Sequence, residues 1–107
     1  MKRGDVYWVR FDPALGGEIQ KTRPAVIVSN DQANKYLNRV QVVPITSQLD
    51  KLYPSEAPLT VNGRRCKAAA DQLRTVAKER LRERIAELTP EDMHRVEQAI
   101  RIQLGLA

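Results

Sequence analysis

The residues of this 107-residue chain best suited to chemistry are an arginine and a threonine, each beside a strongly β-forming run. Arg23 comes just before residues 25–28, and Thr46 ends the run at residues 40–45. A guanidinium can bind a phosphodiester through two hydrogen bonds and stabilise charge developing on its oxygens, and a hydroxyl adds a donor. Because the 2′-hydroxyl of RNA can attack the adjacent phosphorus, a protein that aligns it needs neither a metal nor a nucleophile of its own.

Two strands must bring these side chains together. Residues 25–28 are too few and too β-branched for a helix, and Pro24 precedes them at a position that a strand tolerates. Residues 40–45 have the same character, with Pro44 marking an edge or a bulge. Two such runs joined by a polar connection favour neighbouring strands of one sheet. If their ends meet, the guanidinium and the hydroxyl lie on one rigid surface. The alternative is that Arg23 and Thr46 are two surface residues without a catalytic role.

A polar loop at residues 14–22, ALGGEIQKT, delivers the chain to Arg23. It is longer than a tight hairpin between two strands needs, so it is predicted to be a binding loop or a lid. An exposed hairpin without such a role is the alternative.

The first strand is predicted at residues 6–11, VYWVRF. Side chains alternate along a strand, and the more plausible core face carries Tyr7, Val9 and Phe11. Trp8 points to the other side, which is compatible with a half-covered face, a subunit contact or an ordinary core position. A polar cluster at residues 29–31 then predicts a cap for a short helical turn over residues 31–37.

The second half of the chain begins with a predicted irregular segment at residues 47–58 and is then organised by a hairpin signal. Asn62-Gly63 predicts a turn between strands at residues 59–61 and 64–70, and a further short strand or bend follows at residues 71–76.

The C-terminal part of the chain is predicted to end in a helix. Residues 78–88 favour a helix by local propensity, although one turn followed by a short strand also fits them. The last helix has Thr89 as N-cap and Pro90 in its first turn, and Gly105 ends it. Its predicted buried stripe is Met93, Val96, Ile100 and Leu104, with Ala99 beside it.

Composition limits the class of protein. A length of 107 residues predicts one domain spanning residues 1–107, and the formal net charge of +5 favours a polyanionic partner or a solubilising surface. The single cysteine, Cys66, is expected to be a buried, inert thiol, and it excludes an internal disulfide. No apolar run approaches the roughly 20 residues that span a bilayer and no signal peptide is apparent, so a soluble, cytoplasmic protein is expected.

The residues and motifs that several kinds of catalytic site require are absent from this sequence. His94, the one histidine, is expected to be a solvated surface residue. There is no HExxH or CxxC pattern for zinc, no phosphate-binding glycine loop and no dinucleotide fingerprint, so no metal or cofactor is predicted. Asp31 and Glu18 are candidate bases only if the fold brings one within hydrogen-bond reach of the substrate.

The chain resembles the MazF/PemK family of toxin endoribonucleases over nearly its whole length. The resemblance lies in the order and spacing of RGDVYWV at residues 3–9, GGE at 16–18, RPAVIVSND at 23–31, VVPITS at 42–47, DQLRTV at 71–76 and IRIQLGL at 100–106. It implies a mainly β fold with α (α+β), a small SH3-like, partly closed β-barrel of the CcdB/MazF-like plasmid-maintenance toxin type with a C-terminal helix. It also favours a turn and strand over a helix at residues 78–88.

The resemblance further implies a homodimeric, metal-independent endoribonuclease without a cofactor. Such an enzyme cleaves single-stranded RNA and mRNA at short sequences, leaves 2′,3′-cyclic phosphate and 5′-hydroxyl ends, and is neutralised by an antitoxin with an acidic, disordered segment. By position, Arg23 and Thr46 match the catalytic residues. The other positions assigned to RNA binding are Glu18 and Lys21 in the loop, and Asn30 and Gln72.

Two other functions remain open at this point. A related fold occurs in CcdB, so the chain could be a non-catalytic toxin that binds a protein target such as DNA gyrase. It could also be a passive RNA-binding barrel. Loss of RNA cleavage on removal of Arg23 or Thr46 separates the enzyme from both alternatives.

Overall fold

A computed structural model describes residues 1–13 and 15–106, and its main feature is a bent antiparallel sheet that packs against a C-terminal helix. The strands are β1 (Asp5–Arg10), β2 (Thr22–Ile27), β3 (Arg39–Thr46), β4 (Glu56–Val61), β5 (Arg64–Ala69), β6 (Arg74–Ala77) and β7 (Leu81–Glu87). The helices are α1 (Asp31–Tyr36) and α2 (Pro90–Leu104), and short 3₁₀ turns cover Ala70–Gln72 and Lys78–Arg80. Within these residues neither α-helix is long and apolar enough to cross a membrane.

The strand order is β4-β5-β3-β2-β1-β7, with β6 paired to β3 outside this path. β3 is the centre of the sheet because it pairs with a different strand along each part of its length. Its first half pairs with β6, residues 42–44 pair with β2, and Ile45 and Thr46 pair with β5. A strand shared in this way bends the sheet around itself, which confirms the predicted partly closed β-barrel with a C-terminal helix.

The core lies on both faces of the central strands. Val26 packs in a cluster with Val96 of α2, while the next residue, Ile27, packs in a second cluster with Phe11. Neighbouring residues of a strand point to opposite faces, so a continuous apolar run such as AVIV is what a doubly covered strand requires. The prediction of a single core face in β1 was therefore incomplete: Val6 is fully buried on the side that was expected to be the less covered one.

The helix α2 begins and ends as predicted. The Thr89 hydroxyl accepts a hydrogen bond from the Asp92 amide at 3.1 Å, and Gly105 adopts φ +68° after the last turn. Val96 and Ala99 are buried, but the prediction for Leu104 was wrong, since 54% of this residue is exposed. α2 packs on β4 and the turn at Ala70–Gln72, and its last turn carries exposed apolar side chains.

Two further differences have physical reasons. Residues 56–58, predicted to be irregular, belong to β4, where Pro58 is tolerated because β4 is the last strand of the sheet path. Residues 81–87 form β7 rather than a helix, because they pair with β1. Tertiary pairing thus overrides the local helix propensity, as the family resemblance implied.

Candidate active site

Arg23 and Thr46 line the same groove, which has a volume of about 440 Å³. The pairing of β2 with β3 explains this placement. Ala25 lies opposite Pro44, and continuing that register by two residues sets Arg23 opposite Thr46. Two clefts of about 510 Å³ lie elsewhere in the described chain, but neither contains Arg23 or Thr46. The prediction that these runs are neighbouring strands whose ends meet is confirmed.

The guanidinium of Arg23 is held at one nitrogen and open at the other two. Its Nε donates to the Gln20 carbonyl at 3.3 Å, and the side chain is exposed. Within residues 1–13 and 15–106 its two terminal nitrogens have no hydrogen-bond or ion-pair partner. These two terminal nitrogens form a planar pair of donors, and their geometry matches two oxygens of one phosphate.

The Thr46 hydroxyl keeps its proton available. Its Oγ1 accepts a hydrogen bond from the Gln48 amide at 3.3 Å, and the residue is half-buried. An accepted bond leaves the hydroxyl hydrogen free to donate. Thr46 is therefore oriented by the backbone that follows it and still offers a donor to a ligand in the groove.

Two more arginines line the groove where β4 turns into β5. Asn62 and Gly63 adopt φ +50° and +77°, the left-handed conformations of a two-residue hairpin, and Arg64 and Arg65 follow directly. Neither guanidinium has a hydrogen-bond or ion-pair partner in the part of the chain that the structure describes. The Asn-Gly pair predicted the turn, but the two arginines that follow it were not among the predicted site residues. Their position in the sequence, directly after a hairpin turn, was the available signal.

The groove combines this positive charge with an apolar lining. Its described lining residues include three arginines and neither a carboxylate nor a histidine. The apolar part comes from Trp8, Pro24, Ile45, Val61 and Ile85. Apolar side chains beside unpaired guanidinium groups lower the local dielectric constant, which strengthens the attraction of these groups for an anion.

Cys66 also lines the groove, and it is buried as predicted. Burial raises the pKa of its thiol, and the negative charge of Asp92 raises it further. The thiolate is the reactive form of cysteine, so this thiol is poorly suited to act as a nucleophile at neutral pH.

A buried ion pair stands directly beside Thr46. Lys67 pairs with Thr46 across β3 and β5, and only 7% of its side chain is exposed. Its Nζ contacts Glu56 Oε1 at 3.0 Å and the Lys51 carbonyl at 2.5 Å. The pair therefore anchors the segment that follows Thr46 to the strand beside it. This pair was not predicted, because a lysine within a strand of small residues gives no sign of its burial.

Gln72 and Glu18, which were predicted to bind RNA, lie outside the groove lining. Gln72 contacts the loop backbone: its Oε1 accepts from the Ile19 amide and its Nε2 donates to the Gly17 carbonyl, both at 3.2 Å. Between these contacts, Glu18 Oε1 accepts from the Leu15 amide at 2.7 Å.

Lys21 ends the same loop in a conformation that is uncommon for a residue with a side chain. It adopts φ +67°, and its amide donates to Asp12 Oδ1 at 2.7 Å. Its side chain is exposed, and Lys21 does not line the groove. The turn at Lys21 redirects the chain into β2, one residue before Thr22 begins that strand.

Asn30 and Asp31 lie near α1 and not in the groove. Asn30 is the N-cap of α1 and accepts from the Ala33 amide at 2.8 Å, and it lines a separate cleft with Gln41 and Glu97. The Arg3 amide donates to Asp31 at 2.7 Å, and this bond is the main reason why the pKa of that carboxyl is lowered.

The remaining candidates for acid–base or metal chemistry are also outside the groove. Neither of the proposed bases, Asp31 or Glu18, lines it. His94 is exposed on α2, as expected, at 3.9 Å from Glu97. Among the described residues, no group of three or more histidine, cysteine, aspartate or glutamate side chains is arranged to hold a metal ion.

Comparison with known proteins gives consistent results across sequence and structure. A family model described as a PemK-like, MazF-like toxin of type II toxin-antitoxin system matches residues 2–104. The chain is 39% identical to endoribonuclease MazF9 of Mycobacterium tuberculosis over an alignment of 115 residues, which covers 99% of this chain and 98% of the relative.

Solved structures show the same fold. MazF from Deinococcus radiodurans superposes with a TM-score of 0.85 at 28% identity, covering 98% of this chain and 96% of that one. An endoribonuclease from a mycobacterial species, solved in complex with its cognate antitoxin, gives a TM-score of 0.84 at 25% identity, covering 100% and 97% of the two chains. The second superposition covers the whole of this chain, and therefore every strand that lines the groove as well as α2.

Proposed function

The chain belongs to the PemK-like, MazF-like toxin family of type II toxin–antitoxin systems, and from that membership we propose that it is an endoribonuclease that cleaves single-stranded RNA, including mRNA, at short sequences. The observation that carries this proposal is the placement of Arg23 and Thr46 in one groove with the unpaired Arg64 and Arg65. A relative that is 39% identical over almost the whole chain is named an endoribonuclease. One domain, residues 1–107, carries the activity.

The groove supports cleavage by the substrate's own hydroxyl group. The ribose 2′-oxygen attacks the adjacent phosphorus and the bond to the 5′-oxygen breaks. Water takes the proton of the 2′-hydroxyl and returns one to the leaving 5′-oxygen, so the products are a 2′,3′-cyclic phosphate and a 5′-hydroxyl. Arg23 binds two phosphate oxygens and stabilises the charge that they gain in the transition state. Thr46 donates a hydrogen bond to a phosphate oxygen. The guanidinium stays protonated, so its role is electrostatic and it does not accept the 2′-proton.

The same surface suits a protein inhibitor. A cognate antitoxin with an acidic, disordered segment would match the net charge of +5 and the unpaired arginines of the groove. One of the structural relatives was solved in complex with its cognate antitoxin. We assign the protein a cytoplasmic location, where mRNA is accessible, and a homodimeric state, for which the exposed Ile102, Leu104 and Leu106 at the end of α2 provide an apolar surface.

Cleavage of a single-stranded RNA in excess EDTA tests the proposed chemistry. The wild-type protein is expected to cut it without added metal and to leave 2′,3′-cyclic phosphate and 5′-hydroxyl ends, identified by mass spectrometry. The matched control is the same oligonucleotide with one 2′-deoxyribose at the mapped cut, which is expected to remain intact there. Dependence on magnesium, or products with 3′-hydroxyl ends, would contradict the mechanism. Binding without any cut product would favour a passive RNA-binding protein.

Replacing both Arg64 and Arg65 by glutamine is expected to weaken RNA binding similarly for all sequences. Each lost phosphate contact reduces the slope of log affinity against log salt by about 0.7 for a single strand, so the double variant should lose about 1.4. The measurement is a salt titration of binding with an oligonucleotide that cannot be cleaved. Arg39→Gln is the control, because Arg39 is exposed at the opposite end of β3. An unchanged slope in the double variant would remove these arginines from the binding surface.

A further inference from the structure

Trp8 is a large aromatic side chain left partly uncovered inside the groove. It is the only tryptophan of the chain, and 41% of it is exposed. Val6, two residues earlier on the same side of β1, is fully buried. Trp8 lines the groove together with Arg23 and Thr46. Aromatic side chains bury large areas in cores and interfaces, so a half-exposed indole in a groove offers a large contact surface to a ligand.

The indole has no polar or aromatic partner within residues 1–13 and 15–106. Its ring N–H makes no hydrogen bond there, and the cation–π contacts of the described residues involve Tyr36 and Phe11 instead. The indole, which lines the groove and is 41% exposed, therefore has no competing polar or cation–π contact in the described chain.

The strand register sets Trp8 next to the proposed catalytic arginine. Trp8 pairs with Pro24 across β1 and β2, and Arg23 is the residue beside Pro24. From the spacing of paired strands and the rise per residue, the Cα atoms of Trp8 and Arg23 are about 6 Å apart. Both side chains also line the groove, so a phosphate bound by Arg23 would have the indole within one nucleotide of it.

Exposed aromatic rings combined with arginines along a groove are the arrangement used to bind single-stranded nucleic acid. The arginines follow the backbone, and bases stack on the rings because every base has an aromatic face. In this groove the guanidinium groups of Arg23, Arg64 and Arg65 can contact the backbone, and the indole of Trp8 can stack on a base.

We propose that Trp8 is a stacking platform for the base of the nucleotide next to the cleaved phosphate. The identity of that phosphate rests on the proposed function, but stacking can be measured without cleavage. Stacking also positions the substrate, since a base fixed on the indole restricts how the neighbouring phosphate meets Arg23.

The fluorescence of the single tryptophan reports directly on this contact. The probes are single-stranded oligonucleotides of about ten nucleotides, fully 2′-O-methylated so that the attacking hydroxyl is blocked, with one homopolymer for each base. Saturable quenching of Trp8 emission is expected, with the same midpoint as the fluorescence anisotropy of a dye-labelled probe. An abasic backbone of the same length should bind more weakly and leave Trp8 emission unchanged.

Variants separate stacking from a purely structural role. Trp8→Ala is expected to weaken binding about 5- to 150-fold, the range measured for loss of one base–aromatic stack. Trp8→Phe should recover most of the affinity, because it keeps an aromatic face. Tyr36→Ala, which removes an aromatic residue that is 69% exposed on α1, is the control and should bind like the wild type.

The outcomes distinguish this inference from the proposed nuclease activity. Unchanged Trp8 emission at saturating probe, or Trp8→Ala binding within about twofold of the wild type, would overturn the stacking role even if the protein cleaves RNA. Quenching and tight binding in a protein that cuts no RNA would overturn the nuclease and leave the stacking role standing. Quenching by an acidic peptide and by none of the oligonucleotides would assign Trp8 to a protein partner and overturn the inference. If Trp8→Ala does not fold, the quenching of wild-type emission by the base-containing probes, against the abasic control, decides.

Discussion

Replacing Arg23 by alanine is expected to lower kcat for RNA cleavage about 10²- to 10³-fold, the loss typical of removing one donor that stabilises transition-state charge. The structure gives the reason. The terminal nitrogens of Arg23 have no partner among the described residues, and they share a groove with Thr46. Substrate binding should fall much less, because Arg64 and Arg65 line the groove as well. The measurement is single-turnover cleavage of a labelled RNA in EDTA at saturating protein.

Two conservative variants separate charge from geometry at this position. Arg23→Lys keeps the charge but loses the planar pair of donors, so it should remain well below wild type. Thr46→Ala removes one neutral donor and should cost less than Arg23→Ala. Arg39→Gln serves as the charge-matched control. Activity of Arg23→Ala within about threefold of wild type would rule out the assigned catalytic role.

Replacing Glu56 by glutamine is expected to lower the free energy of unfolding by about 3–5 kcal/mol, because the variant leaves the buried Lys67 ammonium without its counter-charge. The two side chains are only 11% and 7% exposed. Glu56 Oε1 also accepts a hydrogen bond from the Tyr53 amide at 2.9 Å, so the substitution disturbs the loop as well. Urea denaturation followed by circular dichroism measures the change.

An exposed ion pair of the same protein provides the matched control. Lys2 and Glu87 are separated by 3.7 Å, with 67% and 54% of their side chains exposed. Glu87→Gln should therefore change stability by less than about 1 kcal/mol. If Glu56→Gln loses no more stability than Glu87→Gln, the Lys67 pair does not stabilise the fold. The double substitution Glu56→Leu with Lys67→Met should recover much of the loss, because it removes both buried charges.

Local sequence patterns predicted the elements whose signals do not depend on distant residues. Each of these elements is determined by a few neighbouring residues. They are the β-branched runs of β2 and β3, the Asn62-Gly63 turn and the capped helix α2. Once β2 and β3 are paired, placing Arg23 near Thr46 requires only the strand register. This part of the candidate site was therefore predictable.

The features that could not be predicted from local sequence patterns depend on contacts with residues far along the chain. Residues 81–87 favour a helix locally, and only pairing with β1 makes them a strand. Lys67 is buried because Glu56, 11 residues earlier, meets it across β4 and β5. Leu104 continues the apolar stripe of α2, but the stripe does not show how far along the helix the rest of the protein covers it. The placement of Gln72 outside the groove lining has the same origin, since its bonds reach loop residues 53 and 55 positions earlier. Asn30 differs, because its bond to the Ala33 amide is local and residues 29–31 predicted a helix cap.

The amide of Gln72 is held by the loop at both of its polar atoms, because its oxygen accepts from Ile19 and its nitrogen donates to Gly17. One lone pair and one N–H remain on that amide, which is enough to bond a nucleobase without breaking either loop contact. The loop bonds fix the direction in which these two groups point. A rearrangement of the loop would therefore reorient the amide and change which base edge it can meet.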